Sequence, residues 1–242
     1  MNFTIDELNA NQRIDKVISS QTDMSRNDVK KYIKKGLITV NGKVVDKSQF
    51  NVDPDKDIII VDGEELTYKK HVYLVLNKPK GYVSATTDGA YPTVVELAPI
   101  EFNHRDIFPC GRLDKDTTGL MILSDDGNFA HDILSPKKHV SKEYYVEIDK
   151  DLTEEMVIAF RDGVLLKDGE CKSSELKIID KRSCYVTLTE GRYHQIKRMF
   201  GCFGAEVLEL KRIRMGNFKL PEDLAEGECR ELTENELNSI KE

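Results

Sequence analysis

Between Glu64 and Lys70 the chain is polar and shows no apolar period, and the rhythm of apolar side chains differs on its two sides. A stretch of that kind reads as a linker. It divides the 242 residues into an expected small domain, 1–66, and a larger one, 67–242. With 39% hydrophobic residues, the chain has enough apolar side chain to build a core.

In the first segment, Ser25 followed by Asp28 has the form of a capping box, and Val29, Tyr32 and Ile33 recur at helical spacing. The pattern predicts a helix from about Arg26 to Lys35, with Gly36 just past its end. Leu37 to Val40 reads as a strand, and Asn41-Gly42 as a two-residue hairpin turn into Lys43-Val44-Val45. Arg26, Lys30 and Lys34 fall four residues apart and so share a helix face, either an ordinary solvated one or one that can follow phosphates.

The second segment changes to short β-rich runs broken by Gly, Pro and Asp: Val72 to Leu76, Leu120 to Leu123, Tyr144 to Ile148 and Cys184 to Leu188. Helices are expected at Thr153 to Phe160 with Gly163 beyond, from about Tyr193 to Phe203, and after a Thr233/Glu236 capping box, where Leu237 and Ile240 share a face. Strands and helices do not alternate as βαβ units. The expected class is α+β: a small α/β domain, then a mixed, mainly antiparallel sheet with flanking helices.

No run is long and apolar enough for a membrane span, and the first residues lack the layout of a signal peptide, so a cytoplasmic protein is expected. Cysteines 110, 171, 184, 202 and 229 contain no CxxC, and histidines 71, 104, 131, 139 and 194 no zinc spacing, so neither a disulfide framework nor a metal centre is expected. The net charge of −7 is unevenly spread. Residues 24–43 carry six Lys/Arg against one Asp, residues 191–214 six against two Glu, and residues 221–242 two against eight acidic ones. Two basic segments on an acidic chain are compatible with RNA.

Residues 111–120, GlyArgLeuAspLysAspThrThrGlyLeu, place charged side chains in a glycine-flanked turn before an apolar strand. By itself this is a structural loop with an Arg112 ion pair, a carboxylate held at the mouth of a cleft, or a magnesium site on Asp114 and Asp116. Thr117 and Gly119 are expected to shape the turn.

Further motifs discriminate among these readings. ArgIleAspLysValIle from Arg13, SerArg at 25, LysLysGlyLeuIleThrValAsnGly from Lys34 and ValAspProAspLysAspIle from Val52 together resemble an S4 RNA-binding domain. The 111–120 segment resembles the signature of pseudouridine synthases. It is accompanied in order by AsnLysProLysGly at 77, LysGluTyrTyrVal at 142, GluGlyArgTyrHisGlnIleLysArgMetPhe at 190 and LysArgIleArgMetGly at 211. The combination is similar to the RsuA family of ribosomal RNA pseudouridine synthases, and the wording around His194 to its small-subunit branch.

The resemblance implies that Asp114 is the catalytic carboxylate, that Tyr144 stacks on the uracil with its hydroxyl free for proton transfer, and that Lys197 sits beside Asp114, where a cation favours the ionised form. It implies that Arg112, Arg192, His194 and Arg198 contact the RNA, with His194 equally readable as a structural histidine, and that Arg26, Lys30 and Lys34 grip phosphates. Ile196, Met199 and Phe200 have core spacing. Isomerisation exchanges nothing with an outside donor, so no cofactor is expected. The implied partner is ribosomal RNA or a pre-ribosomal particle, met by a monomer away from membranes. A non-catalytic ribosome-assembly factor and a magnesium phosphohydrolase are the alternatives, the first opposed by the intact Asp114, Tyr144 and Lys197, the second by the lack of further clustered carboxylates.

Overall fold

The computed structural model describes residues 11–135, 138 and 140–241, leaving His139 of the histidine inventory and the first ten residues outside. The chain forms two compact units, one running to His71 and taking in residues 100–106, the other holding the rest.

The first unit follows the expected order. A short strand β1 (Gln12–Arg13) leads into helices α1 (Ile14–Gln21) and α2 (Arg26–Lys34). The Ser25 hydroxyl accepts the Asp28 N–H at 3.2 Å and so caps α2. The strands β2 (Ile38–Val40), β3 (Lys43–Val44), β4 (Asn51–Val52), β5 (Ile59–Val61) and β6 (Glu64–Glu65) follow. Asn41 and Gly42, at φ +51° and +77°, turn β2 into β3 as the dipeptide predicts. The apolar faces of α1 and α2 share one core with the sheet through Ile14, Val17, Ile18, Val29, Ile33 and Ile38.

The linker reading of Glu64 to Lys70 requires correction. Asp62 and Gly63 both take positive φ and fold Glu64-Glu65 back onto β5, and Leu66 and Tyr68 pack against the first core. Two glutamates suffice for an edge strand, whose backbone pairs while both side chains stay in solvent.

The second unit contains β7 (Tyr73–Lys78), β8 (Phe108–Pro109), β9 (Thr118–Ser124), α3 (Gly127–Leu134), β10 (Lys142–Ile148) and α4 (Glu154–Asp162). There follow β11 (Leu165–Leu166), β12 (Gly169–Glu170), β13 (Glu175–Ile178), β14 (Ser183–Leu188), α5 (Gln195–Gly201), β15 (Val207–Met215), β16 (Phe218–Lys219), β17 (Cys229–Glu231) and α6 (Glu234–Lys241). The large sheet has the order β13-β14-β10-β15-β9-β7-β17, with β16 on β15 and β8 on β9. It is antiparallel throughout except at β9/β15, which bears out the mixed, mainly antiparallel α+β expectation. One core lies around β10, β14, α4 and α5, where Ile196, Met199 and Phe200 are buried as expected. The other gathers Val75, Leu120, Ile122, Phe129 and Ile240. No helix among the described residues is long and apolar enough to cross a membrane.

Two features of the sheet position the site. At the parallel seam Gly119 lies opposite Arg212 at φ +96°, and a Cβ there would stand 2.2 Å from the Arg212 carbonyl oxygen. Only glycine allows the strands so close. Between β10 and β15 the register steps from Glu143↔Arg214 to Tyr144↔Arg212, leaving Ile213 as an extra residue. Such a bulge reverses which face later side chains occupy. Arg214 shares a face with Glu143, to which it donates at 3.0 Å, whereas Arg212 is turned onto the face of Lys142 and Tyr144.

Candidate active site

The loop that carries Asp114 is braced on both sides. Ser84 donates its hydroxyl to the Leu113 carbonyl at 2.8 Å and accepts the Leu113 N–H at 2.9 Å. Lys78, 0% exposed, donates to the carbonyls of Pro79, Lys115 and Thr117 at 3.0, 3.1 and 2.9 Å. Burial pushes this ammonium down to about 8, against the fields of Asp116 and Asp114 that draw it up. The Thr117 N–H closes a turn onto the Asp114 carbonyl at 3.1 Å. A buried cation bonded to three carbonyls is a rigid anchor, so the loop's shape does not depend on solvent.

The Asp114 side chain, 27% exposed, faces Lys197 Nζ at 3.6 Å from Oδ2 and His194 Nε2 at 3.4 Å from Oδ1. Lys197 therefore stands where the resemblance puts it. His194 is the addition: it lies against the carboxylate, and its imidazole is a second cation there whenever protonated. Its backbone is left-handed, at φ +47°, and its ring stacks on Tyr193 with centroids 3.8 Å apart. Consequently α5 begins at Gln195, two residues later than its expected start. Residues 192–194 form the turn before it, closed by the Arg192 N–H donating to Gln195 Oε1 at 2.9 Å.

Asp114 and His194 open on a cavity of about 840 Å³, lined also by Arg112, Lys142, Tyr144 and Arg212 among others, with Lys197 reaching Asp114 from outside its lining. Arg112 is exposed at it. Tyr144 is half-buried and packs against the core through its ring, with no hydrogen bond from its hydroxyl to any described residue.

Arg192 also lines the cavity, and both it and Arg198 are engaged by other residues. Arg192 donates to the carbonyl of Gly169 at 2.9 Å and to that of Glu170, and lies 3.5 Å from Glu190. Arg198 pairs with Asp168, donates to the Tyr193 carbonyl at 3.1 Å, and does not line the cavity. Both arginines tie the β11–β12 hairpin to the start of α5. The basic segment 191–214 is accordingly no continuous basic surface: Arg214 is paired with Glu143 and Arg212 is buried. On α2, by contrast, Arg26, Lys30 and Lys34 are exposed, and none is in an ion pair with a described residue. Asp116 is exposed, and no group of three His, Cys, Asp or Glu suited to a metal occurs among the described residues.

Sequence reasoning missed Lys142, Arg212, Ser84 and Lys78. Lys78, Lys142 and Arg212 lie inside motifs quoted for the resemblance, but nothing in a single sequence separates them from their neighbours. Ser84 has no local signal.

Comparison with known proteins identifies the family. The RNA pseudouridylate synthase family matches residues 72–201, and the S4 domain family residues 12–58. An uncharacterized RNA pseudouridine synthase of Bacillus subtilis is 41% identical over 95% of this chain and 98% of its own. Ribosomal small subunit pseudouridine synthase A of Escherichia coli is 38% identical over 94% of this chain and 99% of its own. A crystal structure of a pseudouridylate synthase superposes with a TM-score of 0.67 at 35% identity, covering 94% of this chain and 99% of that one.

Proposed function

This chain belongs to the RNA pseudouridylate synthase family and carries an S4 domain ahead of the synthase, and on that premise we propose that it isomerises a uridine of small-subunit ribosomal RNA through Asp114. The observation that carries the assignment of the residue is that Asp114, approached by Lys197 and His194, lies with His194 at a cavity that also presents Tyr144. The E. coli relative, similar along nearly its whole length, supports the ribosomal substrate and the small subunit.

The reaction breaks the C1′–N1 bond, turns the uracil and joins C5 to C1′. A base stacked in a helix is out of reach, so the nucleotide is flipped into the cavity, at a cost of a few kcal/mol that contacts to the RNA offset. The Asp114 carboxylate acts on the ribose, as nucleophile at C1′ or as acceptor of the C2′ proton, and Lys197 holds it in place. Tyr144 stacks on the uracil. Arg112, exposed beside the cavity, contacts the backbone of the flipped nucleotide, and Arg26, Lys30 and Lys34 supply phosphate contacts from the S4 domain.

The test is to map pseudouridines in ribosomal RNA from cells with and without the gene, and then with the gene restored as Asp114→Asn. One position in the small subunit should lose its pseudouridine in both deficient strains. In vitro the variant should bind RNA within a few-fold of wild type and turn over slower by on the order of 1,000-fold or more. Near-normal turnover would remove Asp114 from the mechanism, and a modified site in the large subunit would overturn the choice of subunit.

A further inference from the structure

Besides the exposed Arg112, the cavity wall holds two cations set back from solvent that no carboxylate among the described residues answers. Lys142 and Tyr144 are two apart on β10 and so share a face. The bulge at Ile213 turns Arg212 onto that face, and all three line the cavity. Lys142 donates to the Val140 carbonyl at 3.0 Å, which leaves the other ammonium protons without a partner. Arg212, 2% exposed, donates from Nε to the Leu120 carbonyl at 2.7 Å and from Nη2 to Met121 Sδ at 3.9 Å, and its Nη1 has no hydrogen bond to a described residue. Neither cation is in an ion pair with a described residue. Thr117 lines the same cavity, and its hydroxyl is buried without a partner among the described residues. Burial, reinforced by the charge of Arg212, pushes the Lys142 ammonium down to about 8. Like charges so placed are costly unless an anion comes to them.

The reaction produces such an anion. Whether Asp114 attacks C1′ or removes the C2′ proton, cleavage of the C1′–N1 bond leaves the electron pair on N1. The departing base is then the uracil anion, its charge shared by N1, O2 and O4. It must stay in the site, turn, and return that pair through C5 to C1′. C5 then gives up its proton and N1 takes one, and where Asp114 has taken the C2′ proton it returns that proton to C2′ as C5 bonds to C1′, so nothing outside the site is consumed. We propose that Lys142 and Arg212 form a cationic wall that stabilises and retains the detached uracil anion beside Tyr144. The inference rests on the isomerase reading and deepens it. A phosphate is less suited to the position, because Arg212 is almost wholly enclosed while Arg112 is exposed for the backbone.

The test compares single-turnover loss of the target nucleoside in small-subunit rRNA transcripts made with uridine or with 5-fluorouridine. The proteins are wild type, Lys142→Met, Lys142→Arg and Arg212→Lys. Fluorine at C5 stabilises the uracil anion by itself, so a protein lacking a cation should lose less on that RNA. For Lys142→Met the expected slowing is on the order of 100-fold with uridine and about tenfold less with 5-fluorouridine, with RNA affinity within about threefold of wild type. Lys142→Arg should recover most of the rate, and Arg212→Lys should shift the ratio in the same direction. Methionine keeps the length of the half-buried Lys142 side chain without its charge, so Tm should stay close to wild type, which checks the fold. Equal slowing on the two RNAs, or no slowing, would overturn the inference alone. So would a loss of affinity with a shallower salt dependence, which marks a phosphate site. A wild-type enzyme that forms no pseudouridine on any ribosomal transcript would overturn the isomerase reading and the inference with it.

Discussion

The two basic segments of this chain are nearly equal in composition and opposite in placement. Residues 24–43 and 191–214 each contain six Lys/Arg. On α2, Arg26, Lys30 and Lys34 stand exposed and out of ion pairs, although Lys31 is bound to Asp28 at 2.8 Å. In the synthase unit Arg192 and Arg198 hold a hairpin, Arg214 is bound to Glu143, Arg212 is enclosed, and Lys197 faces Asp114. A helix surface offers its charges to whatever arrives. Cations beside a sheet and the Asp114 carboxylate are tied to the fold or turned inward to the cavity. Counting charge along a segment therefore measures what could attract RNA, and only the placement of carboxylates and carbonyls says what is left to do so.

The largest effect expected from disturbing the inward set comes from Gly119→Ala. The added Cβ would meet the Arg212 carbonyl at 2.2 Å across the β9/β15 seam, with φ at +96°. Strain and the separation of the strands should cost about 3 kcal/mol or more, or roughly 6 to 12 °C in Tm. Turnover should fall with it, since Arg212 and the Asp114 loop both border that seam. A variant that melts within a degree or two of wild type would show that the strands can move apart freely, and the distinction between structural and available cations would weaken.

The outward set should behave otherwise. Changing Arg26, Lys30 and Lys34 together to Gln should raise KM and leave kcat nearly unchanged. The slope of log affinity against log salt should become shallower by about 2 to 3, the counterions of three phosphates. Arg198→Gln is the matched control: it breaks the pair with Asp168, so a small fall in Tm is expected and no change in salt slope. If Arg198→Gln alters the slope and the triple variant does not, the comparison is reversed. If the triple variant loses its saturated rate, the S4 unit takes part in assembling the site.

Much of this was legible in the sequence wherever local chemistry decides the outcome. The Ser25 cap, the Asn41-Gly42 turn and the Thr233/Glu236 box each form as read, because a cap or turn involves residues within a few positions of one another. The resemblance brought Asp114 and Lys197 together across the chain. What failed depended on pairing at a distance. Asp62-Gly63 carried the same turn signal as Asn41-Gly42, but the glutamates after it have no apolar period, so their strand was read as linker. Arg212 was missed because strict alternation from Glu143/Arg214 would put it on the opposite face, and a single inserted residue in β15 has no mark in the sequence. The place of His194 against Asp114 was not foreseen beside its readings as an RNA contact or a structural histidine, because nothing local predicts a left-handed residue there.

The smallest effect concerns another absorbed cation, Arg230, which grips both oxygens of Glu236 at 2.9 and 2.8 Å. Glu236 also accepts the Thr233 N–H at 2.8 Å and so closes the start of α6, whose Ile240 is fully buried. The Arg230 guanidinium is the first cause that holds the Glu236 carboxyl at about 2, against its ordinary 4.5. A carboxyl held low in the folded state stabilises it fully above the ordinary value and loses that contribution as pH falls through the folded value. The window is therefore between about 4.5 and about 2. Glu236→Gln keeps an acceptor for the Thr233 N–H but removes the charge. Thermal melts of wild type and variant should differ by a small, constant amount above about pH 5, and the difference should close as the pH approaches 2. The difference should be small because Arg230 keeps 37% of its side chain in solvent, where water screens the pair. Wild type and variant that melt alike at neutral pH would place Arg230 with the outward, unpaired cations of α2, and a gap that persists to pH 2 would assign the stabilisation to packing of α6.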